Sequence, residues 1–436
     1  MAYFLAGVGV RDITPPPGCP MWGYSDRPGP ATGTLDPLHA KTIAFQAGDN
    51  IAAVVTLDLG RPLNDLACER VRERARAADI DYVFFTASHT HHAPVLEMPD
   101  APYMAAIESG VAESIEEAAL KLQPARMGIG RIEVDIAHNR RVIGPDGRCT
   151  MLWRNETKKP TAPVDKEATV ISIATVDGTP MATLVHYACH PVVMGPSNLE
   201  YSADYVGEMA RRVKEETGAE CLFLQGGCGN INPYLDKTPI RMGGVDAMRS
   251  VGREFAEAVL AALPGIETAA IDEPSVEFAE SDVRVGTRWN LSIPENAAHF
   301  RQQYGPLFDV YAPKLTPDLA VPASVLVLNG ELALLGMPGE IFVQYQLALK
   351  QNSLVKHSLL CGYTNGFYLY FPTIYDAAAG GYGGLEATMV GLGAADKLLA
   401  EGQAQIGRIA GKFHELCSDE RFVEYDDEKA AEEGRA

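Results

Sequence analysis

The chain is poor in positive charge: 37 lysines and arginines stand against 57 aspartates and glutamates, a formal net charge of −20 over 436 residues. Such a balance repels phosphate backbones and anionic headgroups, so neither nucleic acid nor stable membrane association is expected. No apolar run approaches the length of a membrane span. The opening stretch, Met1 to Val10, lacks a basic leader and is too short and glycine-rich for the apolar core of a secretion signal. No two of the eight cysteines form a Cys-x-x-Cys pair, and several lie in apolar strand-like runs. Reduced, buried thiols in a cytoplasmic protein are therefore expected. The glycine-rich runs at 226–229 and 380–384 have neither a P-loop lysine nor the Rossmann spacing, which argues against nucleotide binding.

With 47% hydrophobic and 22% charged residues, the chain can bury a sizeable core. Runs rich in β-branched and aliphatic residues predict strands at 42–45, 51–59, 82–87, 169–174, 182–189, 221–225, 323–328 and 332–337. Apolar residues at three and four spacing predict helices at 65–77, 103–122, 204–217, 248–263, 341–351 and 386–404. Interleaving of this kind predicts an α/β fold of mixed α+β character, a mixed β-sheet core flanked by helices. No linker divides the chain, so we expect one catalytic domain over 1–417 and a solvated acidic tail over 418–436. Residues 144–163 read as a long loop able to cover a site, and 288–317 as a second irregular stretch. Oligomeric state is open, a homo-oligomer included.

Three of the ten histidines fall within four positions, in Ser88-His89-Thr90-His91-His92, behind the apolar run Tyr82-Val83-Phe84-Phe85. Side chains alternate along a strand, so His89 and His91 are expected to share a face and to meet one metal or one substrate. His190, before Pro191, stands at a strand-to-loop junction, with His186 four residues earlier on the same run. Either is a candidate ligand or a hydrogen-bonded core residue. Glu340, after Met337-Pro338-Gly339, is either a first-turn helix carboxylate favoured by the dipole or a group delivered to a site. The aromatic stretch from Tyr363 to Tyr375 reads as core or pocket wall.

Together these motifs give the chain a family likeness. Ser88-His89-Thr90-His91, His138-Asn139-Arg140-Arg141, Cys189-His190-Pro191, Pro338-Gly339-Glu340, Asn365 through Thr373, and the opening Gly7 to Pro15 with Met21-Trp22-Gly23-Tyr24 follow one another in a familiar order. In that order and spacing the chain resembles the neutral/alkaline non-lysosomal ceramidases, from about residue 5 to 400. The resemblance implies a zinc ion held by His89, His190, Glu340 and Tyr370, with Tyr368 as the alternative register, a donor set suited to catalytic zinc. It implies amide hydrolysis by metal-activated water. Tyr382 would hydrogen-bond the developing oxyanion. Arg140 would hold substrate or that same charge, unless it forms a structural salt bridge. His91 would carry the proton to the leaving group, with His92 facing away. Asp204 would orient a ligand histidine or cap its helix.

Where the family has Gly-Asp-Val-Ser-Pro-Asn, this chain has Gly229-Asn230-Ile231-Asn232-Pro233, so Asn230 stands at the aspartate position and Asn232 at the serine position. An amide cannot exchange a proton as acid or base. A serine nucleophile is thereby excluded, a water mechanism is not, and Asn232 is expected to orient substrate or water. Cys228 reads as a small buried residue rather than a nucleophile. The chain ends soon after the catalytic region, so the family's C-terminal immunoglobulin-like domain is not expected here. Nothing in the sequence advertises an apolar tail groove, so the expected substrate is a soluble small molecule with an amide-type C–N bond. An esterase or lactonase on the same zinc site, and a catalytically silent metal- or ligand-binding member, are the alternatives.

Overall fold

Eight strands form one mixed sheet: β1 (Leu5–Asp12), β2 (His39–Ala47), β3 (Asn50–Leu57), β4 (Tyr82–Ala87), β5 (Gln123–Glu133), β6 (Glu167–Thr175), β7 (Pro180–Tyr187) and β8 (Glu220–Gln225). Their spatial order is β8-β7-β6-β5-β1-β2-β3-β4. A second sheet has the order β9 (Val276–Arg284), β10 (Ala320–Leu328), β11 (Leu332–Gly336) and β12 (His357–Cys361). These elements come from a computed structural model that describes residues 3–98, 100–305 and 308–413; the expected tail at 418–436 lies outside them. Among the described residues no helix is long and apolar enough to cross a membrane.

The two sheets pack face to face. Ile43, Phe45, Val54, Phe84, Leu184 and Leu222 of the large sheet share one core with Leu326, Leu334 and Leu359 of the small one. The alternate residues Val55, Phe85, Val185 and Phe223 belong to a second core with residues of α1 (Asp65–Ala77), α2 (Met104–Leu120), α3 (Asp204–Thr217) and α4 (Gly244–Ala262). Strands buried on both faces need apolar residues at every position, which is why Val54-Val55 and Phe84-Phe85 are unbroken runs. Helix α2 lies directly on β1: a Cβ on Gly9 would sit 2.0 Å from the Ser114 carbonyl oxygen, and one on Gly7 2.2 Å from that of Ala118. Behind the small sheet stand α6 (Val343–Gln351) and α7 (Ala394–Ile409), with α5 (Pro294–Tyr304) earlier in the chain.

Several expectations are corrected. Strands β1 and β5 escape the pattern because Gly7, Gly9, Gly128 and Gly130 dilute their apolar runs, and β9 because the exposed Glu277, Glu280, Asp282 and Arg284 interrupt its apolar residues. The stretch 288–317 is largely helical, with Pro294 starting α5, where a missing N–H costs nothing. Within 144–163, Cys149–Met151 pairs with Arg141–Ile143. Helix α7 starts at Ala394, not 386, and α6 at Val343, not 341, because Glu340 and Ile341 pair in parallel with Tyr370 and Phe371.

Within the two sheets three strand pairs are parallel: β3 with β4, β7 with β8, and β11 with β12. Parallel strands deliver their C-terminal ends to one edge, where α/β folds place ligands. Gln225, at the end of β8 and 0% exposed, ties the three pairs there. Its Nε2 donates to the Ser88 carbonyl beyond β4 (2.8 Å) and the Cys189 carbonyl beyond β7 (2.9 Å), while its Oε1 accepts from Cys189 N (3.2 Å). Its own carbonyl accepts from Gly362 N beyond β12 at 2.9 Å. Gln225→Leu keeps the bulk but orphans the Ser88 carbonyl and the Cys189 N–H, the Cys189 carbonyl keeping its bond from the Tyr205 hydroxyl, and is expected to lower stability by ~2–4 kcal/mol. Urea unfolding measures this; a change under about 0.5 kcal/mol would refute the tie's importance.

Candidate metal centre

Strand β4 stops at Ala87, and two residues later His89 takes a left-handed φ of 69°. Strand alternation therefore does not apply beyond Ala87, and the expected reason for His89 and His91 to meet is corrected. They meet through the turn at that left-handed residue: His89 N donates to Leu59 O at 3.0 Å, and the two Nε2 atoms face each other at 3.3 Å. His190 follows β7 by three residues, its N donating to Ile231 O at 3.0 Å. Its Nε2 lies 3.2 Å from Glu340 Oε2, and His89 Nε2 lies 3.4 Å from the same oxygen. The first-turn reading of Glu340 falls, since it is strand-paired with Tyr370 and the Val343 N–H of α6 is instead bound by Asn230 Oδ1 at 2.9 Å. Gly229 allows this approach, for a Cβ there would sit 2.4 Å from the Glu340 carbonyl oxygen.

The histidines differ in what holds their far side. His89 Nδ1 donates to Gly60 O at 2.7 Å and His190 Nδ1 to Ile231 O at 3.0 Å, so each turns an Nε2 lone pair toward the centre. His91 Nδ1 is buried without a hydrogen-bond partner. Burial above all, and then the neighbouring cations, lowers the His190 imidazole to about 4 and holds His91 below its ordinary range. Both are neutral at pH 7, the form that ligates metal. Burial pushes the Glu340 carboxyl up, but the His89 and His190 imidazoles, when protonated, outweigh it and hold the group well below the usual carboxylate range.

This donor set fits a metal ion. Ligand atoms of His89, His91 and His190 all lie within 4.8 Å of one another, and Glu340 adds an ionised oxygen. A tetrahedral zinc ion with bonds of about 2.0–2.1 Å holds its ligands roughly 3.3 Å apart. The separations of 3.2 and 3.4 Å to Glu340 match that spacing.

Around the cluster stand the remaining candidates. Arg140, 3% exposed, donates from Nη2 to Tyr370 Oη (3.0 Å) and Gly229 O (2.7 Å), and from Nη1 to Asn232 Oδ1 (3.0 Å). The salt-bridge alternative for Arg140 is not what is seen. The rings of Tyr370 and Tyr382 are 5.3 Å apart, and Trp153 from the 144–163 stretch lies 5.6 Å from Tyr382 and over Arg140. Tyr368 points elsewhere, its ring near the Lys314 ammonium.

Other candidates are placed outside the cluster. His186 Nε2 bonds Leu360 O inside the sheet at 2.8 Å. His92 turns away to Met194 O (3.2 Å). Asp204 accepts from Val193 N and Met194 N (both 3.1 Å) in the loop behind His190 and from Tyr205 N (2.8 Å) in the first turn of α3. Cys228 is buried with Sγ 3.0 Å from Tyr363 Oη, and burial raises its thiol, which suits packing and not nucleophilic attack. Asn232 has both amide ends on protein groups, Arg140 and Asp236, rather than free for substrate or water. Tyr363, from the aromatic stretch expected as core or pocket wall, stacks on His89 at 4.0 Å, whereas sequence reasoning missed Gln225, the Gly60 carbonyl and Asp236. A lone amide or carbonyl at a strand end carries no pattern that would reveal it.

Comparison with known proteins agrees with this architecture. A solved structure described as a ceramidase complexed with C2 superposes with a TM-score of 0.74 at 18% identity, over 98% of this chain and 78% of that one. The neutral ceramidase of Pseudomonas aeruginosa gives the same TM-score and identity, over 98% and 77%. At that identity the likeness speaks for the fold. The family model for the N-terminal part of neutral/alkaline non-lysosomal ceramidases matches residues 4–228, more than half of the chain. The chain therefore belongs to the neutral/alkaline non-lysosomal ceramidase family, a family of amide hydrolases.

Proposed function

We propose that the protein is a zinc-dependent hydrolase cleaving an amide-type C–N bond of a soluble substrate, with water as the nucleophile, on one catalytic unit spanning 1–417. The observation that carries this reading is the unequal anchoring of the histidines. His89 and His190 are tied through Nδ1 and share Glu340, whereas His91 has an untied Nδ1. His89, His190 and Glu340, with Tyr370 beside them, would hold zinc. When bound, zinc lowers the pKa of water toward 7 and polarises a carbonyl.

The chain's own residues do the rest. Arg140 keeps a fixed cation next to Tyr370 and, with the Tyr382 hydroxyl, binds the carbonyl oxygen as its charge develops. His91, 3.3 Å from His89 and not locked by a second partner, takes a proton from the attacking water and gives it to the leaving nitrogen. Trp22, edge-on to both His89 and His91, and Trp153 wall the pocket and exclude water. The same oxyanion machinery would serve an ester or a lactone.

A lipid-like amide is the second reading, favoured by a specific feature. Pro16, Pro17, Pro20, Met98, Pro102 and Tyr103 line an apolar groove of about 860 Å³. Its two edges are the chain segments that lead into Trp22 and away from His91.

Purified protein is expected to carry about one zinc per chain by elemental analysis and to lose hydrolysis on chelation. His89→Ala or Glu340→Ala should lose the metal. Full activity in metal-free protein would overturn the reading. Tyr382→Phe should retain metal while kcat falls by about 10²–10³; an unchanged kcat removes its oxyanion role. A screen of N-acyl amino acids, sugar amides, lactones and a short-chain ceramide analogue should rank a soluble amide first. If the ceramide analogue is fastest, the lipid-like reading replaces the soluble one.

A further inference from the structure

The Asn232 amide is engaged at both ends. Its Oδ1 accepts from Arg140 Nη1 at 3.0 Å and its Nδ2 donates to Asp236 Oδ2 at 2.9 Å. Asn232 and Asp236 are each 1% exposed, so bulk water does not compete for these bonds. An ionised carboxylate only accepts, and a guanidinium only donates. Between them the amide has one orientation, nitrogen toward Asp236 and carbonyl toward Arg140.

The guanidinium depends on that orientation. Its other acceptors are the Gly229 carbonyl and Tyr370 Oη, both on Nη2, while Nε is buried without a partner. On the Nη1 side, Asn232 Oδ1 is the protein acceptor. Turned over, the amide would aim N–H at N–H and push the cation off Tyr370.

Asp236 is held in place on purpose-built backbone. Its N donates to Pro233 O at 3.1 Å, and Lys237, at a left-handed φ of 52°, donates its N to Val192 O at 2.9 Å in the loop behind His190. The Lys237 ammonium lies 3.7 Å from Asp236 Oδ2 and 3.7 Å over the Trp153 ring. Asp236 Oδ1 is buried with no partner. Burial of a half-satisfied carboxylate costs stability, and packing alone offers no return for it.

We propose that Asp236 is a positioning residue for the hydrolytic reaction: it locks the Asn232 amide so that the Asn232 carbonyl holds the Arg140 guanidinium against Tyr370. The inference rests on the reading of Arg140 as a group that binds the reacting carbonyl oxygen. Burial raises the Asp236 carboxyl to about 6, opposed by Lys237, so it is mostly ionised and a pure acceptor at neutral pH.

The test uses the full chain loaded with zinc, on the best substrate of the screen. Asp236→Asn should lower kcat by about tenfold or more, with KM within about threefold and metal content unchanged. The double variant Asn232→Asp/Asp236→Asn restores a carboxylate acceptor toward Arg140 and a donor between the two positions, and should recover kcat to within about threefold of the parent. Thermal unfolding of each variant reports whether it folds. A kcat of Asp236→Asn within about twofold of the parent, or a loss that the double variant does not recover, overturns the proposal. A readout free of substrate separates this from failure of the hydrolase reading: selective ¹⁵N-asparagine labelling, with the Asn232 amide pair identified by its loss in Asn232→Asp. The pair should be protected from solvent exchange in the parent and altered in shift and exchange in Asp236→Asn. An unaltered pair overturns the proposal whether or not any substrate is cleaved.

Discussion

The Gln225 amide is the constraint on which the rest of the site depends. The large sheet has its two parallel pairs at opposite ends of the strand order, so His89 and His190 leave from strands far apart within it. Strands β4 and β8 come into contact only because the sheet coils on itself. One buried side chain with two donors and an acceptor then bridges the Ser88 and Cys189 backbones, while the Gln225 carbonyl receives Gly362 from the other sheet. Backbone groups at buried strand ends must find partners, and satisfying them through one residue places three loops within ångströms of a common point.

Once those loops meet, chemistry divides along lines of anchoring. The imidazoles with Nδ1 on a backbone carbonyl present a fixed lone pair, and Glu340 lies between them within 3.2 and 3.4 Å. His91 lacks that second tether, a freedom that suits the proton transfer proposed for it. Arg140 shows the opposite case, a buried cation fixed by Gly229, Tyr370 and Asn232. A cation held this rigidly needs no rearrangement when charge builds on a substrate oxygen.

Much of the fold was legible. Strand β4, helix α1 and helix α3 fall at 82–87, 65–77 and 204–217, as their apolar periods predict, because dense cores on both faces leave an unmistakable pattern. Strand β1 was not, since what it needs is glycine where α2 touches its backbone, and closeness of that kind does not register as hydrophobicity. In the site, the His89 run, His190 and Glu340 stood out because ionisable residues at strand ends are chemically conspicuous. Asp236 and Gln225 did not, because their meaning lies wholly in partners such as Asn232 and Ser88, far away in the chain.

The order of residues carries the layer chemistry and the inventory: alternating apolar elements for a mixed α/β core, and a handful of imidazoles, carboxylates and phenols to work with. Which of them meet, and in what state, follows from the packed fold. His89 and His91 face each other through a left-handed residue rather than strand alternation. Glu340 belongs to a strand pair with Tyr370 rather than to the first turn of a helix. Asn232 spends its amide on Arg140 and Asp236. The physical reason is the same in each case. Periodicity reports burial, which is local and summed over many residues, whereas a site is made of directional bonds between groups that only the completed packing brings into range.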